Sequence, residues 1–246
     1  MNLLVDSSGG DLRLALAEGG TVLAEYASGP RSHQVEEVSV ATSNLLKRVS
    51  AEVDSIVAVG VVVGPGSMAG LRAGVTFAKV LAEFVGATVV PVGSAEAMAA
   101  ALQSRSSGPV AVLRRVRKAE AFATAVAAVP EAIVRADGPT SVVDPSNLAI
   151  WLDRCSEQLG QDFNVLSDRL PEVFELRRHV ALDRVADWLE VSKDLMVQLA
   201  RLVEVKILVG DVVPPSSVAI DYVRGADVRI SFQTRSESGE IKWVKS

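Results

Sequence analysis

The pattern of apolar and polar positions opens with three short strands. Residues 3–5 form a brief apolar run that ends in Asp6-Ser7-Ser8-Gly9-Gly10, a turn composition. Across residues 11–17, Leu12, Leu14 and Leu16 recur at every second position, the spacing of a half-buried strand. Glu18-Gly19-Gly20 makes a second turn, and residues 21–27 supply a third strand of an antiparallel meander. The period then changes. Val35, Val38, Thr42, Leu45 and Val49 share one face of a helix over residues 32–49, with Ser32 as its N-cap and His33 in its first turn.

The centre of the chain is a strand–helix–strand unit. Residues 56–63 are apolar and rich in β-branched side chains, which suits a buried strand. Gly64-Pro65-Gly66-Ser67 turns the chain into a helix that starts near Ala69 and ends near Gly86, a C-cap glycine; residues 88–92 form the next strand. Such a unit is a right-handed crossover in a parallel sheet. At about 100° per residue, Leu71, Val75, Ala78, Ala82 and Val85 lie on one side of the helix, and Ala73, Phe77, Val80 and Phe84 on nearly the opposite side. A helix that covers one sheet face needs one apolar stripe. This one has two, so its outer face is covered as well, either by another helix of this chain or by another protein. Ser94 caps a further helix that begins near Ala95 and fades over residues 105–109. The order β-β-β-α-β-α-β-α is that of a ribonuclease-H-like half-domain.

The second half repeats the opening more loosely. Residues 109–113 are a strand, and Arg114-Arg115-Val116-Arg117-Lys118 reads as a solvated turn, although such a run also suits phosphate. Residues 120–126 alternate and Ile133-Val134 continues the sheet, so a second meander follows the first. Residues 147–159 read as helix, 163–166 as strand, and 176–205 as mainly helical, with Trp188 and Met196 on the apolar side and His179 on the surface. Pro214-Pro215 ends regular structure. Residues 218–223 and 228–232 are short strand candidates, and the tail from Thr234 is polar except for Trp243. This predicts two related halves, 1–107 and 108–246, in one α/β chain.

Composition narrows the function. The chain has 246 residues, of which 49% are hydrophobic and only 4% aromatic, so Ala and Val carry the packing. Mean hydropathy is +0.29. A net charge of −5 argues against a self-sufficient nucleic-acid binder, but not against membership of a complex in which a partner binds. A single cysteine, Cys155, excludes an internal disulfide and fits a reducing cytosol. No apolar run has the length of a membrane span, and the N-terminal residues lack the basic and cleavage regions of a signal peptide.

Candidate chemistry is sparse. Gly64 to Arg72 is glycine-rich and opens a helix, which is a physical anion site. It lacks the Gly-Lys-Ser/Thr ending of a P-loop and the glycine spacing of a dinucleotide site. Close approach to a neighbouring backbone explains the same glycines without a ligand. Asp6, at a strand end, suits either a metal or an attacking water on one reading, or a turn cap on the other. His33 and His179 lie far apart, and one cysteine makes no thiolate site. Asp6, Glu36 and Glu120 are not paired by anything in the sequence as general acid and base. No hydrolase serine elbow is present.

The segment GVVVGPGSMAGLRAGVTFAKVLAEFVGATVVPVGSAEAMA resembles the signature of the bacterial TsaB (YeaZ) family, a Gly-x-Gly-Pro-Gly-Ser-Phe-Thr-Gly-Leu-Arg-x-Gly turn followed by a small-residue helix, a strand and a Ser before an Ala-rich helix. LLVDSSGGDLRLAL is similar to the family's first two strands, RSHQVEEV to the start of its first helix, LRRVRKAEAFATAV to the motif opening its second half, and AIDYVRGADV to a late motif. The strong part covers about the first 105 residues. Ser7, Met68-Ala69, Leu113 and Ile220-Asp221 depart from the usual residues.

The resemblance implies an ASKHA fold (actin-like ATPase, two ribonuclease-H-like halves with mixed sheets flanked by helices) and no chemistry of its own: no catalytic residue, cofactor or metal. The implied role is that of a non-catalytic partner subunit in making threonylcarbamoyladenosine beside the anticodon of tRNA. Its partners would be a TsaD-type transferase as heterodimer and a TsaE-type ATPase, with tRNA met only through the complex; alone it would form a homodimer. The implied interface is Val35, Val38, Thr42 and Leu45 on the first helix with Ala73, Phe77, Val80, Leu81 and Phe84 on the second. Gly64, Pro65, Gly66, Ser67, Gly70, Leu71 and Arg72 form a structural turn motif. The alternative is an ASKHA phosphotransferase or transferase in its own right, with ATP phosphates near residues 64–70 and Asp6 on Mg²⁺. A peptidase has no supporting nucleophile–base pair.

Overall fold

A computed structural model describes residues 1–29, 34–117, 119–129, 133–168, 170, 174–223, 231–235 and 241–245. Its first sheet is built from β1 (Asn2–Asp6), β2 (Arg13–Glu18), β3 (Thr21–Ala27), β4 (Ala58–Gly64) and β5 (Thr88–Gly93), in the order β3-β2-β1-β4-β5. The meander is antiparallel, whereas β4 runs parallel to β1 and β5 parallel to β4. The helices are α1 (Gln34–Arg48), α2 (Met68–Val85) and α3 (Ser94–Gln103). Gly86 ends α2 in the left-handed conformation, and its N–H donates to Ala82 O, as a C-cap glycine does.

The second sheet repeats that order. Its strands are β6 (Val110–Arg117), β7 (Glu120–Val129), β8 (Ile133–Ala136), β10 (Asn164–Asp168) and β11 (Val185–Asp187), arranged β11-β10-β6-β7-β8, with β9 (Ser141–Val143) beside β7. Again three antiparallel strands are extended by two parallel ones. α4 (Leu148–Leu159), α5 (Trp188–Val191) and α6 (Leu195–Leu208) complete the helices, and β12 (Ser231–Arg235) pairs with β13 (Ile241–Lys245). Two mixed sheets of this order flanked by helices make the ASKHA-type α/β fold.

The layers follow from the alternation. Leu3, Val5, Leu12, Leu14 and Leu16 point toward α1 and α2. Leu4, Ala15, Ala17, Val62 and Val90 point the other way, onto α3 and α6, and share that layer with Val110, Val112, Val126 and Leu166 of the second sheet. On the far side of the second sheet, Ala111, Leu113 and Ala123 pack with Leu148, Leu152 and Cys155 of α4. β2 is therefore covered on both faces, not half-buried. Its second face is lined by alanines, small residues that do not register as apolar positions in a leucine alternation.

Other expectations change too. Residues 176–205 are mainly helical, as expected, but in pieces: 3₁₀ turns, the three-residue β11 and the short α5 precede α6, and a strand that short shows no period of its own. Residues 218–223 are not a strand, and the polar tail contains the hairpin β12–β13. The basic run is not a turn, because β6 extends to Arg117. Ser32 and His33 lie outside the described residues, as does the side chain of Val35.

The chain returns to its first sheet after β11. α6 packs across it, with Val203 so close to Gly60 of β4 that a side chain there would overlap it. Val213 then exchanges both backbone hydrogen bonds with Val89 of β5, at 2.9 and 2.8 Å. Asp221 N donates to Val63 O at 2.9 Å, and Lys79 Nζ of α2 to Val218 O at 2.9 Å. This strap, residues 211–221, covers the edge of β5 and one flank of α2.

Candidate functional site

The outer face of α2 is the first candidate. Leu71, Val75, Ala78 and Ala82 are buried against the sheet. Phe77 and Leu81 are half-buried and pack on the same core, and Ala73 is half-buried beside them. Val80 and Phe84 are 64% and 75% exposed. α1 and the strap thus cover only the flanks of the second stripe. An open apolar groove of about 400 Å³ remains, lined by Val80, Phe84, Pro215 and Ser216 and flanked by Lys79 and Glu83. The apolar face of α1 points inward instead. Val38, Thr42 and Leu45 lie in this chain's own core, with Thr42 Oγ1 donating to Val38 O at 2.7 Å. Among the described side chains of α1, the large apolar one that faces outward is Val40.

The second candidate is the cleft between the sheets, a cavity of about 360 Å³ at the ends of β1 and β6. Two turns of the first sheet meet there. Asp6 Oδ1 accepts from Ser8 N at 2.9 Å and Ser8 Oγ at 2.6 Å, so Asp6 caps its own turn. Ser67 N donates to Ser8 O at 2.9 Å, and Ser67 Oγ, as N-cap of α2, accepts from Gly70 N at 3.4 Å. A side chain at Gly66 would overlap Ser8 O, and one at Gly74 would overlap Ser7 Oγ. The glycines of the motif serve close approach of two backbone segments. Pro65 follows a cis peptide bond and its carbonyl accepts from Ser94 Oγ at 2.7 Å; Leu71 is buried and Arg72 exposed.

Arg114 enters this cleft from β6. Its Nη1 donates to Ser8 Oγ and Pro65 O, both at 3.1 Å, and its Nη2 to Ser8 O. Its Nε lies 3.7 Å from Asp168 Oδ2 of β10, and the Arg114 side chain is 12% exposed. No local pattern points to this role, since an arginine within a basic run looks solvated. The strap was also missed, because residues around two prolines carry no period. A third unforeseen tie is Glu96 of α3, whose Oε2 accepts from Gly93 N and whose Oε1 accepts from Ala136 N of β8, both at 3.1 Å.

The other sequence candidates stand on separate elements. Glu36 is exposed in the first turn of α1, Glu120 begins β7, and His179 is exposed after a 3₁₀ turn. Burial pushes the Cys155 thiol up to about 12. Among the described residues no group of three or more His, Cys, Asp or Glu is placed to hold a metal, and no helix is long and apolar enough to cross a membrane.

Comparison with known proteins adds to this geometry. The model of the family described as TsaD, tRNA N6-adenosine threonylcarbamoyltransferase, matches residues 18–139. The tRNA threonylcarbamoyladenosine biosynthesis protein TsaB of Bacillus subtilis is 34% identical over 98 residues, 40% of this chain. The match spans 43% of that relative's length. YeaZ of Pseudomonas aeruginosa superposes with a TM-score of 0.70 at 16% identity, covering 90% of this chain and 99% of that one. A Pseudomonas aeruginosa protein described as similar to the peptidase YeaZ gives 0.71 at 16%, with 91% and 99% covered. These structural likenesses show the fold, and the sequence similarity to TsaB and to the TsaD model is confined to part of the chain.

Proposed function

We propose that this chain is a non-catalytic partner subunit in the formation of threonylcarbamoyladenosine in tRNA, paired with a TsaD-type transferase. The observation that carries the reading is the unpartnered face of α2. Val80 and Phe84 stand exposed beside an apolar groove, whereas Leu71 and Val75 of the same helix are buried and Phe77, Leu81 and Val85 are half-buried. Burying two such side chains yields about 1.5–3 kcal/mol each, enough to form the centre of an interface. The partial similarity to TsaB supports the pathway; in this reading a TsaE-type ATPase joins the pair, and tRNA is met through the complex. Alone, the chain hides the face by pairing with itself. The protein works in the cytoplasm, where a single buried thiol is stable. We read it as two halves, 1–107 and 108–246, by chain order.

The rival, an enzyme that binds ATP in the cleft, has less support. A phosphate needs free donors and little negative charge, whereas Arg114 is already engaged by Ser8 O and Pro65 O and the carboxylates of Asp11 and Asp168 line the same cavity.

The test is co-purification with the TsaD-like protein of the same organism, with the mass of the complex measured. A stable heterodimer that displaces self-pairing, and is lost in Phe84→Asp, is the expected result. No association at about micromolar concentrations, a threshold near 8 kcal/mol, overturns the reading. Tight ATP binding by the lone chain, abolished by Asp6→Ala, would favour the rival.

A further inference from the structure

The two sheets share an apolar layer formed by α3 and α6. Apolar packing is non-directional, and helices packed this way slide by small shears at low cost. That layer alone does not fix the angle between the sheets. Directional polar ties on the cleft side do, and one residue supplies most of them. Arg114, fixed on β6 of the second sheet, donates to Ser8 O, Ser8 Oγ and Pro65 O, on two separate turns of the first. Asp168, on the neighbouring strand β10, lies 3.7 Å from its Nε and holds the guanidinium from behind. Both side chains are nearly buried, so solvent screens the pair little. One of these turns starts α2 and is tied to the other, since Ser67 N bonds Ser8 O; Ser94 Oγ, at the start of α3, bonds the Pro65 carbonyl that Arg114 also takes.

We propose that Arg114 is a built-in clasp that holds the cleft between the two sheets in one setting. A guanidinium suits the task, because it stays charged and its planar fork reaches two carbonyls and a hydroxyl at once. Lysine, a single point charge, satisfies one of these at a time. The clasp occupies the place where a cleft of this kind would have to open and close, and it indexes the start of α2 to the second sheet. The inference rests on the Arg114 contacts and is independent of which partner α2 meets. Arg13 Nη1, which donates to Ser192 O, is an additional and weaker tie between the same two parts.

Hydrogen exchange of the full chain tests it, comparing the unaltered protein with Arg114→Met and Arg114→Lys. In Arg114→Met, amides at residues 8–12 and 66–71 exchange about 10- to 100-fold faster, as loss of several charge-assisted bonds requires, while β2, β3 and α4 keep their protection. Arg114→Lys falls between. Unchanged protection in both turns overturns the proposal. So does uniform acceleration throughout both sheets, which would make Arg114 a general stability residue. Should Arg114→Met fail to fold, Asp168→Asn keeps the arginine and removes its counter-charge. The same two turns then loosen by a smaller factor, and their full protection in that variant overturns the clasp.

Discussion

Ser7 lies directly beneath α2, fully buried, and its Oγ has no hydrogen-bond partner among the described residues. It stands where Gly74 lets the helix come down onto β1. An orphaned buried hydroxyl costs about 1–3 kcal/mol, so Ser7→Ala is expected to stabilise the fold by about 1 kcal/mol in urea titration. Gly74→Ala has the opposite sign. Its methyl would overlap Ser7 Oγ and meet Ser7 Cβ at 3.0 Å, and overpacking of this kind costs about 1–3 kcal/mol despite alanine's better helix propensity. The double variant should recover part of that loss, since one of the two obstructing atoms is gone. Cys155 gives a pH signature. Its thiol is raised from 9.0 to about 12 by burial, so the folded state keeps the proton longer than the unfolded chain does. The stability this represents is complete below pH 9 and falls as pH rises toward 12. At pH 10 the loss amounts to about 1 kcal/mol. Denaturation at pH 8 and pH 10 should show that decrement in the unaltered protein and not in Cys155→Ala.

At the scale of elements, α2 carries both the legible and the illegible parts of this molecule. Phe84→Asp is expected to change folding stability by less than about 0.5 kcal/mol, because the side chain is already in water. It should weaken partner binding or self-pairing by about 100-fold or more, as a charge must then be buried unpaired. Equal association of the variant and the unaltered protein in analytical ultracentrifugation would remove α2 from the interface. Val213→Pro tests the strap. It deletes the N–H that donates to Val89 O at 2.8 Å, for an expected loss of about 1–3 kcal/mol and faster exchange along β5. The first sheet could be read residue by residue because its period is strong: Leu12, Leu14 and Leu16 fix one face, and Gly64-Pro65-Gly66-Ser67 fixes the start of α2. Two kinds of feature escaped. Val38, Thr42 and Leu45 form an apolar helix face, but a face does not say which way it points, and here it points inward. Arg114 and the strap depend on segments 49, 106 and 139 residues apart in sequence, which no local pattern encodes.

At the scale of the whole molecule, the two sheets have the same strand order, yet segments from the second half of the chain complete the cover of the first sheet. α6 belongs to the second half by sequence and packs on the first sheet, where Leu199, Leu202 and Val203 join Leu4, Ala15, Val62 and Val90 in one buried layer. The strap returns still further, capping the edge of β5 and tying Lys79 of α2 to Val218 O. A fragment of residues 1–107 has the complete first sheet with α1, α2 and α3, but it lacks both of these covers. Its β1, β2, β4 and β5 would then present Leu4, Val62 and Val90 to water on a face that α3 alone cannot span, and β5 would present an open edge. Such a fragment is expected to bind hydrophobic dye, to aggregate, and to lack a cooperative thermal transition. Joining residues 195–221 to it through a flexible linker restores the missing layer and edge, and should restore cooperative unfolding. A fragment 1–107 that unfolds cooperatively and remains monomeric would mean that the returning segments add stability without completing the core. Failure of the linked form, with the fragment also unfolded, would locate the missing contribution in the second sheet, whose Val110, Val112 and Leu166 close the same layer from the other side.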